Sequence, residues 1–348
     1  MIRLNLSVLF SAMVAHVKPL NCRSVSTCLN GKTYFHSSST AMSYSRIDAY
    51  NEWYSKFVRE GVSEPRESIE TIISHVLAKG LPPPHHDHDL SKKEQEHLES
   101  LCECRMARMP LQYIIGEWQF RRLNLKLYPP VFIPRPETET LVEIILERLS
   151  KKSDTINVLE IGCGSGAISL ALAQENSKVV CTAIDQCKLA CQVARKNSSA
   201  LKLSDRVNIL WAKLTEEGEI IDCCSKYKLV DGLPKKIDIV VSNPPYIPRP
   251  DVFNLQPEIL LYEDLRAIDG GKDGLEVVLP LIKFASTLLK PCTTSDDGGK
   301  LFIEVDPIHP ALLRNWLCGE ENSKLQLLLK YVHLDLFGKE RFVEIVKV

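Results

Sequence analysis

The sequence predicts an α/β protein in which a small all-helical domain precedes an open, mostly parallel sheet. Two observations carry this prediction. Helical patterns alone fill residues 46–110, whereas strand-like and helix-like segments alternate from Thr155 onward. Such alternation is typical of right-handed crossovers in a parallel sheet. The chain has 348 residues, of which 45% are hydrophobic and 25% charged, enough for about two ordinary globular domains.

The first 47 residues differ from the rest of the chain in charge. They contain five basic residues and no Asp or Glu, so they carry +5, whereas the remaining chain carries −6 and the total is −1. This leader is also rich in Ser, and such a composition is typical of a mitochondrial transit peptide, which we assign to residues 1–45. The apolar stretch at residues 4–17 leaves a secretory signal as the alternative. The first interpretation predicts a protein of the mitochondrial matrix.

The composition of the remaining chain argues against several classes of partner. An acidic protein is poorly suited to stable nucleic-acid binding, which depends on Lys and Arg neutralising phosphates. No stretch approaches the ~20 apolar residues of a membrane span. The 12 cysteines include no pair of Cys-x-x-Cys motifs, and several fall in predicted core segments, which favours a reducing compartment. The loop at residues 82–89, with three His and two Asp, is interpreted as solvated, so no metal is predicted.

The helical domain at residues 46–110 has three predicted helices. The first, at residues 46–60, has an aromatic and apolar face at helical spacing. The second, at residues 64–79, has a proline in its first turn and ends at Gly80. The third follows Ser91, which forms a predicted capping box with the residue three positions later.

A linker at residues 111–135 connects this domain to the α/β domain at residues 136–348. Alternation at residues 117–128 predicts a hairpin or an extended segment, and a helix opens near Pro136 and continues to Leu149. Seven strands and four further helices complete the prediction. The strands are at 156–161, 179–184, 207–210, 237–242, 300–305, 326–336 and 341–346, the last two forming a hairpin, and the helices are at 166–175, 187–199, 274–290 and 307–318.

A glycine-rich turn joins the first of these strands to a helix. Gly162, Gly164 and Gly166 let the backbone turn tightly and let a ligand approach closely. The spacing fits both a dinucleotide fingerprint and the loop of S-adenosylmethionine (AdoMet) methyltransferases. Asp185 closes the next strand, where its carboxylate can accept hydrogen bonds from ribose hydroxyls or cap the following helix. These residues predict a nucleoside-type ligand and leave its identity open.

The stretch Asn243-Pro244-Pro245-Tyr246 favours methyl transfer to a planar nitrogen. It follows a predicted buried strand, so it is expected to lie beside the glycine-rich turn. The Asn243 oxygen and the Pro244 carbonyl can hold the two N–H groups of an amide or amino group, and Tyr246 can pack against its plane. Such a site acts by positioning and polarisation, and the proton leaves after methyl transfer.

Together with residues 110–116 and 133–139, this stretch resembles the HemK/PrmC family. Members of that family methylate the glutamine of the Gly-Gly-Gln motif in class 1 peptide chain release factors. The resemblance covers about residues 46–348, and the leader favours the mitochondrial branch. It implies that residues 136–348 form a seven-stranded, Rossmann-like, AdoMet-dependent methyltransferase domain and that residues 46–110 recognise the substrate.

The resemblance also implies the residues of the site. Glu160 replaces the family's usual Asp near the methionine amino group, and Lys213-Leu214 replaces an Asp-Trp pair near the adenine. Arg135 either borders the substrate channel or is an exposed residue at a helix start. The implied cofactor contacts are Glu160, Gly162, Cys163, Gly164, Ser165, Gly166, Asp185, Leu214 and Asn243. The implied catalytic and substrate-binding residues are Asn243, Pro244, Pro245, Tyr246 and Arg135, of which Asn243, Pro244 and Tyr246 are the catalytic ones.

The expected activity is therefore N5-methylation of that glutamine in mitochondrial release factors by a monomeric enzyme, with AdoMet as methyl donor. An adenine-N6 amino methyltransferase acting on DNA or RNA is the alternative, since a flipped base presents a similar N–H₂ group. The acidic charge and the lack of a basic target-recognition segment argue against it. A nicotinamide-dependent oxidoreductase or a non-catalytic binding module on the same fold is a third interpretation.

Overall fold

The computed structural model of the protein describes residues 44–77, 89–149, 154–229, 233, 236–291 and 298–348. Most of the predicted transit peptide, Gly80 and most of the His- and Asp-rich loop lie outside these residues. Within the described ranges no helix is long and apolar enough to cross a membrane. The nine cysteines described there are free thiols.

Four helices form the first part of the described chain, around a core that includes Trp53, Phe57 and Ile72. The predicted capping box is present: the Ser91 hydroxyl accepts from the backbone N–H of Glu94 (3.3 Å), and the Glu94 carboxylate accepts from that of Ser91 (2.8 Å). A second, unpredicted box precedes the first helix. The helices are α1 (Arg46–Arg59), α2 (Pro65–Val76), α3 (Lys92–Met106) and the short α4 (Leu111–Ile115).

The linker contains a hairpin, as the alternation predicted. Leu123 and Leu125 alternate with exposed residues in its second strand and pack into the main core, so the hairpin adheres to the α/β domain. The strands are β1 (Glu117–Phe120) and β2 (Leu123–Lys126), and helix α5 (Pro136–Leu149) follows them.

The central sheet has the order β6-β5-β4-β3-β7-β8-β10-β9. Strands β3, β4, β5, β7 and β8 are parallel, and β6, β9 and β10 pair antiparallel. The chain order reverses between β3 and β7, which opens a crevice at the carboxyl ends of these strands. The strands are β3 (Ile156–Ile161), β4 (Val179–Asp185), β5 (Val207–Leu214), β6 (Ile220–Asp222), β7 (Ile239–Ser242), β8 (Lys300–Glu304), β9 (Leu327–Leu334) and β10 (Glu340–Lys347).

Helices cover both faces of this sheet, and each face has its own apolar core. Helices α5, α6 and α7 pack on one face, and α10 and α11 on the other. The remaining helices are α6 (Ala167–Glu175), α7 (Lys188–Ala200), α8 (Arg249–Val252), α9 (Pro257–Tyr262), α10 (Val278–Leu288) and α11 (His309–Cys318). Two 3₁₀ turns lie at Leu265–Ala267 and Glu320–Leu325.

The structure corrects the sequence prediction in three places. Among the described residues the sheet has eight strands rather than seven, because three-residue β6 is too short to show an alternating pattern and pairs with an extension of β5 beyond residue 210. The helix predicted at 274–290 begins at Val278, since Gly274 adopts φ +81° and the Asp273 carboxylate accepts from the Leu275 N–H in a turn. Helices α4, α8 and α9 were not predicted.

Tyr44–Val348 form one compact unit, and a buried ion pair joins the N-terminal helices to the segment after β7. The Arg105 guanidinium donates to Glu258 Oε1 on α9 at 3.1 Å, and Ser63 Oγ donates to the same oxygen at 3.0 Å. Both charged side chains are less than a tenth exposed. The Tyr262 hydroxyl adds a hydrogen bond to the Ala107 carbonyl at 2.7 Å.

Candidate active site

A cavity of about 860 Å³ lies at the carboxyl ends of the parallel strands. Its walls come from the turn after β3 and the ends of β4, β5 and β7. The segment of residues 273–283, which leads into α10, forms another wall. The crevice predicted by the strand order is therefore the place where the sequence motifs meet.

The glycine-rich turn after β3 needs glycine for two different reasons. Gly162 (φ +77°), Gly164 (φ +55°) and Gly166 (φ +86°) all have left-handed backbone conformations. A Cβ atom on Gly162 or Gly164 would have no protein atom within 4 Å, whereas one on Gly166 would lie 3.0 Å from Leu170 Cδ1 and 3.2 Å from Ala194 Cβ. The first two glycines thus leave room in the cavity, and the third lets the turn pack against helices α6 and α7.

Asp185, at the end of β4, holds the glycine-rich turn in place. Its Oδ2 atom accepts from the Gly164 N–H at 2.9 Å, and its Oδ1 atom accepts from the Cys187 N–H at 2.7 Å. The second bond closes a local turn, and Cys187 rather than Asp185 is the N-cap of α7. Burial raises the pKa of Asp185, although these two N–H donors oppose the shift.

Glu160 is a buried carboxyl group in the wall of the same cavity. It accepts hydrogen bonds from the backbone N–H of Ser169 (3.0 Å) and from the Ser169 hydroxyl, at the start of α6. Burial raises the pKa of Glu160 to about 8. A cationic group entering the cavity would stabilise its ionised form.

Ser165 and Asn197 give the turn a second attachment. The Asn197 side-chain amide donates to the Ser165 carbonyl at 3.0 Å and to the Lys126 carbonyl of β2 at 3.1 Å, so it joins the turn to the hairpin. The Ser165 hydroxyl is buried and has no partner in the described part of the chain. It is a polar atom in the cavity wall for which the fold supplies no hydrogen bond.

Asn243 is held by a network of side chains at the end of β7. Its Nδ2 atom donates to Thr138 Oγ1 at 3.0 Å, and Thr138 Oγ1 donates to Glu304 Oε2 at 2.8 Å. The Tyr246 hydroxyl donates to Glu304 Oε1 at 3.0 Å, and Arg341 Nη1 lies 3.4 Å from that hydroxyl. Within the described part of the chain, Asn243 Oδ1 has no donor, so it is available to a ligand in the cavity.

Comparison with known proteins identifies the family. Residues 48–116 match the PrmC N-terminal domain, and residues 135–254 match the methyltransferase small domain. Over 311 residues the chain is 38% identical to the human MTRF1L release factor glutamine methyltransferase, an alignment that covers 86% of this chain and 87% of that protein. The chain belongs to the release factor glutamine methyltransferase family.

Other relatives and structures resemble this methyltransferase. The release factor glutamine methyltransferase of Chlorobaculum tepidum is 33% identical over 285 residues, covering 80% of this chain and 91% of that one. A crystal structure of a methyltransferase from Pyrococcus furiosus is 19% identical, with a TM-score of 0.42, and covers 70% of this chain and 96% of that chain. The predicted family, fold class and enzyme class are confirmed, and the alternative of an adenine amino methyltransferase is not favoured.

AdoMet is the methyl donor of this methyltransferase, and the cavity suits it. The open space beside two glycines admits a ligand close to the backbone, and the buried Ser165 hydroxyl needs a hydrogen-bond partner. The carboxyl groups of Glu160 and Asp185 complement an ammonium group and ribose hydroxyls, both of which AdoMet carries. The cavity thus offers groups that complement those of this cofactor.

The structure brings most, but not all, of the predicted site residues into the cavity walls. Gly166, Tyr246 and Arg135 do not line it. Gly166 faces the helices, the Tyr246 hydroxyl is directed to Glu304, and Arg135 pairs with the buried Glu263 at 2.6 Å. The predicted residues that do line it are Glu160, Gly162, Cys163, Gly164, Ser165, Asp185, Leu214, Asn243, Pro244 and Pro245.

Sequence analysis missed the side chains behind Asn243. Thr138 lies at the start of a predicted helix and Glu304 in a predicted strand, and neither was predicted as a site residue. A carboxylate in the otherwise apolar stretch Leu301-Phe302-Ile303 was an available signal, because buried carboxylates are rare without a specific partner. In the described ranges no three His, Cys, Asp or Glu side chains gather into a metal site, and residues 82–88 of the His-rich loop lie outside those ranges.

Proposed function

We propose that this methyltransferase transfers the methyl group of AdoMet to the side-chain nitrogen, N5, of the glutamine in the Gly-Gly-Gln motif of mitochondrial class 1 release factors. The observation that carries the proposal concerns Asn243, a residue of the cavity wall: a hydrogen bond from its Nδ2 to Thr138 holds its amide, and its Oδ1 has no donor among the described residues. A fixed acceptor beside the cofactor cavity suits a primary amide. Family membership supports release factors as the substrates.

The cofactor half of the cavity consists of residues 160–166, Asp185 and Leu214. We assign the ribose hydroxyls to Asp185, the methionine ammonium group to Glu160 and the adenine to the neighbourhood of Leu214. Asp185 keeps acceptor capacity after binding two backbone N–H groups, since a carboxylate offers about four acceptor sites. When bound, AdoMet supplies an electrophilic methyl group on a sulfonium.

The amide half of the cavity consists of Asn243, Pro244 and Pro245 with the side chains behind them. We propose that Asn243 Oδ1 accepts one N–H of the target amide and that the Pro244 carbonyl accepts the other. Pro244 has no N–H of its own, so it offers only an acceptor there. The amide nitrogen gains the methyl group as the bond between that methyl carbon and the donor sulfur breaks, the sulfur keeping the electron pair, and the nitrogen then loses one of its two protons to solvent. Tyr246 and Arg135 stay predictions as direct substrate contacts.

The remaining assignments concern the partner and the compartment. We propose that the enzyme is monomeric, that residues 46–110 bind the body of the release factor and that residues 136–348 carry the methyltransferase site, with residues 111–135 as the linker. An isolated glutamine side chain offers too little surface for specific binding. The leader composition supports removal of residues 1–45 as a transit peptide and a matrix location.

Mass spectrometry of a purified release factor tests the activity. Incubation with the enzyme and AdoMet is expected to add one methyl group, about 14 Da, to the peptide that contains Gly-Gly-Gln. A release factor with that Gln replaced by Ala is the control and is expected to gain no methyl group. Equal labelling of the two release factors, or no labelling of either, would contradict the proposal.

A further inference from the structure

The side chains behind Asn243 form a chain of hydrogen bonds that links three elements. Asn243 follows β7, Thr138 lies in the first turn of α5, and Glu304 is the last residue of β8. The two bonds of this chain measure 3.0 Å (Asn243 Nδ2 to Thr138 Oγ1) and 2.8 Å (Thr138 Oγ1 to Glu304 Oε2). Glu304 is 1% exposed, so water does not compete with Thr138 for its carboxylate.

The direction of each hydrogen bond follows from the chemistry of the end group. An ionised carboxylate can only accept, so Thr138 must donate its single hydroxyl proton to Glu304. The Thr138 oxygen is then left as an acceptor, and only the Nδ2 side of the Asn243 amide can bind to it. The Oδ1 side of the amide, in a residue that lines the cavity, is thereby left as the acceptor.

We propose that Glu304, acting through Thr138, is a positioning residue that sets which side of the Asn243 amide faces the substrate. The inference rests on the proposed function and adds the hydrogen bonds that orient Asn243, the residue on which that function depends. Without an acceptor-only group, Thr138 can donate to Asn243 Oδ1 instead. The Asn243 amide then presents two N–H donors to a target that itself has only N–H groups at its nitrogen, and recognition is lost.

The surroundings of Glu304 hold it in place from three sides. Thr138 and Glu137 belong to α5, Tyr246 follows β7, and Arg341 belongs to β10. The Tyr246 hydroxyl donates to Glu304 Oε1, the carboxylate oxygen that Thr138 does not bind, and Arg341 contributes a nearby positive charge. A buried carboxylate with two hydroxyl donors and one cation is an ordered acceptor.

The ionisation of Glu304 falls near neutral pH. Burial raises its pKa to about 7, with Glu137 adding to the rise and Thr138, Tyr246 and Arg341 opposing it. Protonation gives the Glu304 carboxyl group a donor of its own, so the direction of the hydrogen bonds that link Glu304, Thr138 and Asn243 is no longer fixed. Turnover is therefore expected to fall as the pH falls through about 7 and to reach a plateau above it.

Thr138→Val tests the relay, because valine keeps the shape of threonine and removes the hydroxyl. We expect kcat for release-factor methylation to fall about 10- to 100-fold, with the KM for the release factor and the Kd for AdoMet each changed less than about threefold, since most binding surface lies elsewhere. Thr138→Ser, which restores the hydroxyl, is expected to recover most of the turnover. Thr182→Val makes the same change at another buried threonine, on β4, and is expected to leave kcat unchanged.

Glu304→Gln supplies an independent readout, because it preserves size and removes the titration. We expect its kcat to lie below the wild-type plateau and to vary little between pH 6 and 8.5. A Thr138→Val enzyme with more than half of the wild-type kcat, or a Glu304→Gln enzyme that keeps the wild-type fall near pH 7, would overturn the inference. These outcomes require an active wild-type enzyme, so they are distinct from a wild type that does not methylate the release factor.

Discussion

The cofactor half and the amide half of the cavity hold their functional groups in different ways. In the cofactor half the backbone provides most of the geometry: Asp185 binds the N–H groups of Gly164 and Cys187, and left-handed glycines leave the space. In the amide half side chains hold one another, and Glu304 accepts from both Thr138 and Tyr246. The comparison predicts that substitutions in the first half change cofactor affinity, whereas those in the second change turnover.

Asn243→Ala is expected to give the largest effect. Removal of the amide acceptor is predicted to lower kcat about 100- to 1,000-fold, the size found when one preorganised polar group is lost from a reaction site. The Kd for AdoMet, measured by calorimetry, is expected to change less than about threefold. Asn208→Ala, at an exposed asparagine of β5, is the control and is expected to be fully active. A large loss of AdoMet affinity in Asn243→Ala would contradict the prediction that substitutions in the amide half change turnover rather than cofactor affinity.

Gly164→Ala is expected to give the opposite pattern. The added methyl group projects into space that we assign to the cofactor, so the Kd for AdoMet is predicted to rise about tenfold, or about 1.4 kcal/mol, while kcat at saturating AdoMet stays within about threefold. The left-handed backbone at φ +55° adds about 1–2 kcal/mol of strain to the folded state.

Gly116→Ala is the matched control for this strain. Gly116 also has a left-handed conformation (φ +76°) and open space around its Cβ position, but it does not line the cavity. We expect a similar drop in the melting temperature and no change in AdoMet affinity. Equal Kd values for the two variants would contradict the assignment of Gly164 to the cofactor.

The pH dependence of AdoMet binding should give the smallest effect. Glu160 has a pKa of about 8 in the free protein, and a bound ammonium group lowers it, so binding below pH 8 must release a proton. Affinity therefore weakens as the pH falls, by about fivefold from pH 8 to pH 7. Calorimetry in buffers of different ionisation enthalpy measures the proton release, which is expected to disappear in Glu160→Gln. Unchanged proton release in that variant would contradict the assignment of the ammonium group to Glu160.

The two halves of the cavity also differ in how much of each the sequence can predict. The glycine-rich turn and the Asn243–Tyr246 stretch are contiguous, so their residue types and spacing can be recognised without a structure. Thr138 lies 105 residues before Asn243 and 166 before Glu304, and no local pattern relates such positions. Their meeting depends on the pairing of β7 with β8 and on α5 packing against β8, which only the folded chain defines.

The helices and strands, too, were predicted where a local sequence pattern defines them and missed where contacts with other segments do. Strands β3 and β4, which are largely buried, were located to within a few residues, because most of their residues are apolar. Strand β6 was missed since its three residues are held by pairing with β5 rather than by their own pattern. The late start of α10 depends on the turn at Gly274, where a backbone conformation overrides the helical periodicity.

The buried pair Arg105–Glu258 restricts how this protein can be divided. In a chimaera that takes the N-terminal helices from one relative and the methyltransferase domain from another, Arg105 or Glu258 is left unpaired wherever the other parent lacks the matching residue. An unpaired buried charge destabilises a protein by about 3–5 kcal/mol, which is a large part of the stability of a typical domain. Domain exchange that moves residues 44–116 and helix α9 together keeps the pair intact whatever the relative carries.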